Sequence, residues 1–364
     1  MTDVWAVVTN APKGGVRYDH VSVEPPDDAD LILKPLYTGI CGTDRGIVSG
    51  SLPFSYNPQG YNFLVLGHES VCTVVESKNE RFVKGDIVVP VVRRPGGCVN
   101  CRIGRPDNCS DGDKHEAGIT GLHGFMRTEF AEKSEFVVPV KNKSIGRLAV
   151  LTEPLKNVVK AFEVFEIISK RSVYHKQDST LTGKTCCVIG TGAEAFLYGL
   201  VAKNLGFNVI LTNRHPVTDY KTKMLESFGL EFINYSEDFD RSFSSGIDLL
   251  IDTSGDPGTI LKFTKRLNYN GIAILFGTNG RAKPSTITGI DIDYIVERNI
   301  TLAGSVDAAK VHYYRALDYL EEWSFTIPEI GNMITGEYDP NNVKIFTQKG
   351  PGEIKSIIRW GNAP

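Results

Sequence analysis

The sequence predicts an α/β protein of two domains, a β-rich, partly barrel-like domain and a doubly wound parallel-sheet domain. Three observations lead there. A chain of 364 residues exceeds the ~250–300 residues at which a single hydrophobic core stops growing. Residues 1 to about 150 hold short β-rich runs ("WAVVT", "LILKPLYTG", "VCTVVES", "DIVVPVV", "EFVVPV") broken by Gly, Pro, Asn and Asp clusters. Beyond "LTGK" the pattern becomes an alternation of apolar runs and helical segments, which is the signature of βαβ units.

The elements follow in order. After the β-rich region, "EPLKNVVKAFEVFEIISKR" places Leu155, Val158, Val159, Phe162 and Phe165 at helical spacing, so a long amphipathic helix over 153–171 joins the domains. Then come strand "TCCVIG", helix 194–205, strand "NVILTN", helix 218–228, strand "EFINY", strand "DLLIDTSG", helix 257–268 and strand "GIAILFG". From about 308, "AAKVHYYRALDYLEEW" reads as a helix followed by a mixed tail. The expected organisation is a β-rich domain over 1–155, a dinucleotide-binding domain over 156–307 and a segment, 308–364, returning to the first domain.

Composition narrows the partners. With 41% hydrophobic residues, 23% charged and a net charge of -3, the chain offers no basic field for nucleic acid or an anionic membrane. The apolar runs stop short of the ~20 residues a span requires, and "MTDVWAVVTN" lacks the layout of a signal peptide. A cytoplasmic protein with a small-molecule partner is expected. Seven cysteines argue for metal binding or burial over a disulfide framework.

In "CVIGTGAEA", Gly190, Gly192 and Ala195 form a G-x-G-x-x-A pattern between an apolar strand and a helix start. The glycines allow the backbone to approach a pyrophosphate, and the helix N-terminus supplies N–H donors and partial positive charge. NAD sites carry an acid at the end of the second strand for the ribose 2′-hydroxyl. Here "TNRHP" places Asn213, Arg214 and His215 there. A neutral amide followed by a guanidinium would welcome a 2′-phosphate, so NADP is favoured, with NAD possible.

Two metal constellations stand out. Cys98 and Cys101 form a C-x-x-C pair, and Cys109 follows in a Gly- and Pro-rich loop of a lobe spanning about 93–116. Closed zinc sites take four ligands, so a fourth is needed, and Asp111, Asp113 and Glu116 each offer an oxygen. Asp113 is the favoured choice. Cys41 in "GICGTDRG" and the adjacent His68 and Glu69 in "LGHES" sit beside glycine-bounded strand ends. One thiolate, one imidazole and a carboxylate fit an open zinc site that keeps a position for substrate. Taken singly each reads as a packed core residue; the accompanying dinucleotide motif favours the metal.

Together "GICGTD", "LGHE", the cysteine lobe, "GLHGFMRTEF" and "VIGTGAEA" occur in that order over nearly the whole chain. The sequence so resembles the zinc-dependent medium-chain dehydrogenase/reductase family. With "VVRRPGGCVNCRIGRPDNC", "KHEAGITGLHGFM", "EPL" and "TNRHP" it is similar, more narrowly, to the archaeal type of glucose 1-dehydrogenase.

The resemblance implies a GroES-like catalytic domain beside a Rossmann domain, an active site in the cleft between them, and a homotetramer. It implies a catalytic zinc held by Cys41 and His68, with Glu69 as ligand or water-bridged neighbour and Glu153 reaching the metal or the sugar. Thr43 would hydrogen-bond the reacting hydroxyl, and Glu116, Asn157 and Asp307 would bind the sugar. Cofactor contacts would come from Gly190, Thr191, Gly192, Ala193, Glu194 and Ala195, from Asn213 and Arg214, from Phe276, Gly277 and Thr278, and from Ser305, Val306 and Asp307.

Two positions depart from the family pattern. Pro95 stands where four-cysteine relatives have a ligand, and Gly46 where many alcohol dehydrogenases relay a proton through histidine. The implied reaction is oxidation of an aldose, glucose and also galactose, at C1 to the lactone. The competing readings are another zinc polyol or alcohol dehydrogenase, and a catalytically silent NADPH-binding redox sensor.

Overall fold

A computed structural model of the chain describes residues 1–112, 115–171, 181–237, 239–278 and 284–361. The chain divides into two compact units, Met1–Lys156 with Asp307–Pro364, and Asn157–Val306.

The first unit is built from antiparallel sheet. Thr2–Asn10 pairs with Gly14–Val23 and with Leu64–Val65. Among the described residues a larger, seven-stranded sheet centres on Leu31–Ile40, flanked by Glu69–Ser77 on one side and Lys355–Arg359 on the other. The C-terminal tail thus completes a sheet begun 300 residues earlier. It does so because Ile345, Phe346, Ile358 and Trp360 are apolar and bury against Val7, Ile40, Leu64 and Met126. A small sheet of Arg93–Arg94, His115–Ala117 and Gly121–Leu122 carries the cysteine lobe.

The second unit is a six-stranded parallel sheet in the spatial order Glu231–Asn234, Asn208–Asn213, Thr185–Ile189, Ile247–Asp252, Leu267–Leu275, Thr301–Gly304. Chain order reverses between Thr185–Ile189 and Ile247–Asp252, which creates the crevice where doubly wound sheets bind ligands. Every residue of Ile247–Asp252 is buried, as expected of a strand covered on both faces. No helix among the described residues is long and apolar enough to cross a membrane.

Two expected elements shift, and two unexpected ones appear. The helix expected over 257–268 ends at Thr264, and the following strand begins early, at Leu267. Ile247 pairs with Leu267 across an irregular register, so sheet pairing overrides the helical spacing. The helix Gly289–Glu297 and the strand Thr301–Gly304 were not expected at all. The Thr288 and Asp291 side chains close a capping box there, whereas "IDIDYI" alternates at a strand-like period of two.

Candidate active site

Cys41 ends the strand Leu31–Ile40 and caps the short helix Gly42–Val48. His68 and Glu69 open the strand Glu69–Ser77 just after Gly67, whose φ of +90° is glycine's region. The ligand atoms of Cys41, His68 and Glu69 lie within 4.8 Å of one another. Gly39, paired across the sheet with Glu69, makes room: an added Cβ would sit 2.0 Å from a Glu69 carboxylate oxygen. The glycine of "GIC" is therefore a condition for Glu69 to point where it does.

Two charged residues that sequence reasoning missed organise this cluster. Asp44, fully buried, accepts a hydrogen bond from the Cys41 backbone N–H at 2.9 Å and lies 3.4 Å from His68 Nδ1. Burial alone would depress the His68 pKa, but the Asp44 carboxylate and then the Cys41 thiol outweigh it and hold it well above its ordinary value. A carboxylate beside a histidine ligand orients the ring and raises its basicity. Lys355, from the C-terminal strand, places Nζ 2.7 Å from both oxygens of Glu69, and both residues are buried.

This pair yields a stability prediction. Lys355→Met leaves a buried carboxylate without its cation and should destabilise the protein by about 3–5 kcal/mol, because a broken buried pair strands a charge. Adding Glu69→Gln should recover much of that loss in denaturant unfolding; an unchanged midpoint in the single variant would contradict the pairing.

Thr43 Oγ1 lies 3.8 Å from Cys41 Sγ, so the hydroxyl borders the cluster. Glu153 does not join it. Its carboxylate is 3.1 Å from Lys156 Nζ, within a chain of charges inside the first unit: Arg93 is 3.0 Å from Glu116 and 3.4 Å from Asp307, and Asp307 is 3.4 Å from Lys156. Burial would lower the Lys156 pKa, yet Glu153 and Asp307 more than reverse it, so the ammonium stays charged. Three of the five expected sugar contacts, Glu116, Glu153 and Asp307, are thus brought together by two cations, Arg93 and Lys156, that no motif announces. Asn157 is half-buried, one residue further along the helix Thr152–Ser169. At Gly46 a side chain would require Leu52 to move, since an added Cβ meets Leu52 Cδ1 at 2.6 Å.

In the lobe, Cys98 Sγ lies 3.6 Å from Cys101 Sγ and 4.0 Å from Cys109 Sγ, and all three thiols are free. Hydrogen bonds from the Cys101 backbone and from Ser110 pull the Cys98 pKa down, while burial pushes that of Cys101 up. The three sulfurs fit a zinc ion as a thiolate set. Among the described residues no carboxylate joins them: Asp111 is exposed and Glu116 is engaged by Arg93. Asp113 lies outside the described residues. The other cysteines, Cys72, Cys186 and Cys187, are buried, and burial raises their pKa values, which suits inert packing.

In the second unit the expected cofactor residues gather at the C-terminal ends of the parallel strands. Gly190 adopts φ +130°, and an added Cβ would meet Thr253 Oγ1 at 2.1 Å. Gly192 caps the helix Ala193–Asn204 and presents open space where a Cβ would lie, with only Glu194 nearby. Thr191, Ala193 and Ala195 are buried in this turn and first helical turn, which Glu194 shares. Asn213 Nδ2 is 3.4 Å from Thr191 Oγ1, and its Oδ1 accepts from the Arg214 N–H, leaving the Arg214 and His215 side chains exposed.

Phe276 and Gly277 both donate backbone hydrogen bonds to Asp252, and Gly277 packs so closely on Gly255 that no larger residue fits; Thr278 follows, exposed. Ser305 donates to Leu275 and Val306 is exposed. Asp307 belongs to the first unit. Sequence reasoning missed Lys221, a buried lysine that donates to the Thr191 carbonyl at 2.7 Å and places an ammonium beside the glycine turn.

Comparisons agree with this architecture. Residues 27–142 match the family described as alcohol dehydrogenase GroES-like domain, and residues 146–360 match glucose dehydrogenase C-terminus. The chain is 55% identical to a glucose 1-dehydrogenase of Thermoplasma acidophilum, covering 99% of this chain and 100% of that one. It is 38% identical to a glucose 1-dehydrogenase of Metallosphaera sedula, covering 98% of each. Its fold matches a Haloferax mediterranei glucose dehydrogenase solved in complex with NADP, Zn and gluconolactone, with a TM-score of 0.87 at 23% identity over 99% of this chain and 100% of that one. With its two family matches meeting near residue 145 and its relatives aligned end to end, the chain belongs to the zinc-dependent medium-chain dehydrogenases, of the glucose dehydrogenase type.

Proposed function

We propose that the protein oxidises D-glucose at C1 to the aldonolactone, passing the hydride to NADP in preference to NAD, with D-galactose as a second substrate. The observation that carries this reading is the convergence of Cys41, His68 and Glu69 within 4.8 Å in a chain that also holds a dinucleotide crevice. The 55% identity to a glucose 1-dehydrogenase supports the choice of sugar.

Cys41 and His68, with Glu69 as ligand or near neighbour, would hold a zinc ion, which lowers the pKa of a bound hydroxyl and so eases loss of hydride from its carbon. NADP, seated on the glycine turn with its 2′-phosphate toward Asn213 and Arg214, would accept the hydride at the nicotinamide. Thr43 positions the C1 hydroxyl, and Glu69 or a zinc-linked water would take its proton. Asp44 holds His68 in place. Lys355, by pairing with both oxygens of Glu69, limits that carboxylate's freedom to turn toward a metal, so Glu69 fits the role of neighbour better than that of permanent ligand. Glu116, Glu153 and Asp307 offer acceptors to sugar hydroxyls, fixed in place by Arg93 and Lys156, and Asn157 adds a neutral amide. Such an array suits a polyhydroxy substrate better than a simple alcohol. A homotetramer is the proposed assembly.

For the lobe, we propose a zinc site of Cys98, Cys101, Cys109 and Asp113. Asp113→Ala should lower zinc content by about one ion per chain while leaving glucose turnover in place. Metal analysis checks it, and an unchanged zinc count would contradict the assignment.

The test of the reaction is a panel of sugars and alcohols with NADP and NAD. Turnover with glucose but not with sorbitol or threonine supports this reading, whereas NADPH binding with no turnover of any substrate would favour the silent redox sensor.

A further inference from the structure

A cavity of about 200 Å³ in the first unit is lined by Arg94, His123, Arg127, Glu132, Lys133 and Phe136, among others. None of these side chains belongs to the zinc, sugar or cofactor positions described above. Three cations face one carboxylate, so the lining is positive.

How its polar groups are spent identifies what it lacks. The two oxygens of Glu132 are engaged, one by Arg94 at 2.6 Å and one by the Lys133 backbone N–H at 2.9 Å. Arg94 is thereby neutralised, and its guanidinium also lies over the Phe136 ring at 4.2 Å. Arg127 has no such partner. It is 8% exposed, its charge lies over the Phe130 ring at 5.1 Å, and its Nε finds no acceptor among the described residues. Burial pushes its pKa down to about 10, against the pull of Glu132, so it remains charged at neutral pH. No carboxylate among the described residues forms an ion pair with it. A buried cation whose nearest carboxylate is already spent on another arginine is costly.

His123 adds a second orphan of the same polarity. Its Nδ1 accepts from the Val65 N–H at 3.2 Å, so in the neutral ring the proton sits on Nε2, which also lacks a partner among the described residues. The ring is fixed by stacking on Phe63 at 5.1 Å and by the edge of Tyr61 at 4.5 Å. Burial, followed by the Arg127 charge, pushes its pKa down to about 3, so it is a neutral donor. Both buried orphans are therefore donors, and both belong to residues that line one cavity with surplus positive charge.

We propose that this cavity is a binding site for a small oxyanion of the phosphate class, held by Arg127, Lys133 and the Nε2–H of His123. Its volume is below the ~300 Å³ at which drug-sized sites begin, which suits inorganic phosphate and excludes a nucleotide. A tetrahedral anion supplies acceptors to all three donors at once and gives Arg127 its missing counter-charge.

The test is calorimetric titration of the full-length protein, saturated with NADP so that anion positions of the dinucleotide site are filled, with inorganic phosphate and, separately, with acetate and with sodium chloride at matched ionic strength. Phosphate should bind once per chain with a Kd on the order of 1 mM, and at tenfold that concentration should raise Tm by about 2–4 °C. Arg127→Leu should abolish the binding. His123→Phe, which keeps the stacking, and Lys133→Ala, which keeps the backbone bond to Glu132, should each weaken it about 3–10-fold with glucose turnover unchanged. The last two carry the test should the arginine variant not fold. An equal Tm rise with chloride, tighter binding of acetate than of phosphate, or phosphate binding untouched in both His123→Phe and Lys133→Ala would overturn the proposal. Because these variants lie outside the reaction site, failure of this inference and failure of the glucose reading give different results.

Discussion

Cys41→Ser or His68→Ala should lower glucose-dependent nicotinamide reduction by about 10³-fold or more, the scale of several kcal/mol of Lewis-acid stabilisation. NADP affinity should change by less than about threefold, because the cofactor residues other than Asp307 belong to a separate unit with its own core. The expectation follows from geometry: these two residues meet at one point, half-buried Cys41 beside buried His68, and Asp44 holds both, the first through its backbone N–H and the second beside Nδ1. Stopped-flow cofactor binding and steady-state rates on the same preparation check both halves. Full turnover in both variants would remove the metal from the account.

Arg214→Ala should raise the KM for NADP by about 10–100-fold and that for NAD by less than about threefold, the difference being one charge-assisted contact to a 2′-phosphate. Arg214 is exposed at the end of Asn208–Asn213, where its backbone N–H is already taken by the Asn213 side chain. Its guanidinium hydrogen-bonds Tyr235, next to the neighbouring strand Glu231–Asn234, and stays exposed, so its charge is open to the 2′-phosphate proposed above. The same loss for both cofactors would assign Arg214 to the strand-end turn and leave the preference to Asn213.

Much of this molecule can be read from its sequence. The central parallel strands Thr185–Ile189 and Ile247–Asp252 are covered on both faces and so appear as nearly continuous apolar runs. The glycine turn is legible because its G-x-G-x-x-A spacing falls between an apolar strand and a helix start, and Gly190 sits where an added Cβ would meet Thr253. Cys41, His68 and Glu69 each stand at a glycine-marked strand end, and the fold brings them together.

What stayed hidden is pairing across long stretches of chain. Lys355 meets Glu69 only because the tail returns to the central sheet, and nothing in "EIKSIIRW" marks a buried cation. Arg93 and Lys156 are silent for the same reason, and Glu153, expected to reach the metal or the sugar, pairs with Lys156 one helical turn away. Asp44 was present in "GICGTD" but reads as a helix-cap residue. Its second role, beside His68, depends on a strand that begins 25 residues later. Local spacing encodes elements and turns, whereas charge networks depend on topology.

The central claim is zinc-dependent oxidation of glucose with NADP, and one measurement addresses it most directly. It is the initial rate of NADP reduction by D-glucose before chelation, after chelation and after zinc is restored. The account predicts a rate that falls to background without the metal, returns with stoichiometric zinc, and returns in Asp113→Ala but not in Cys41→Ser. A rate indifferent to chelation in protein shown by metal analysis to be zinc-free would contradict it.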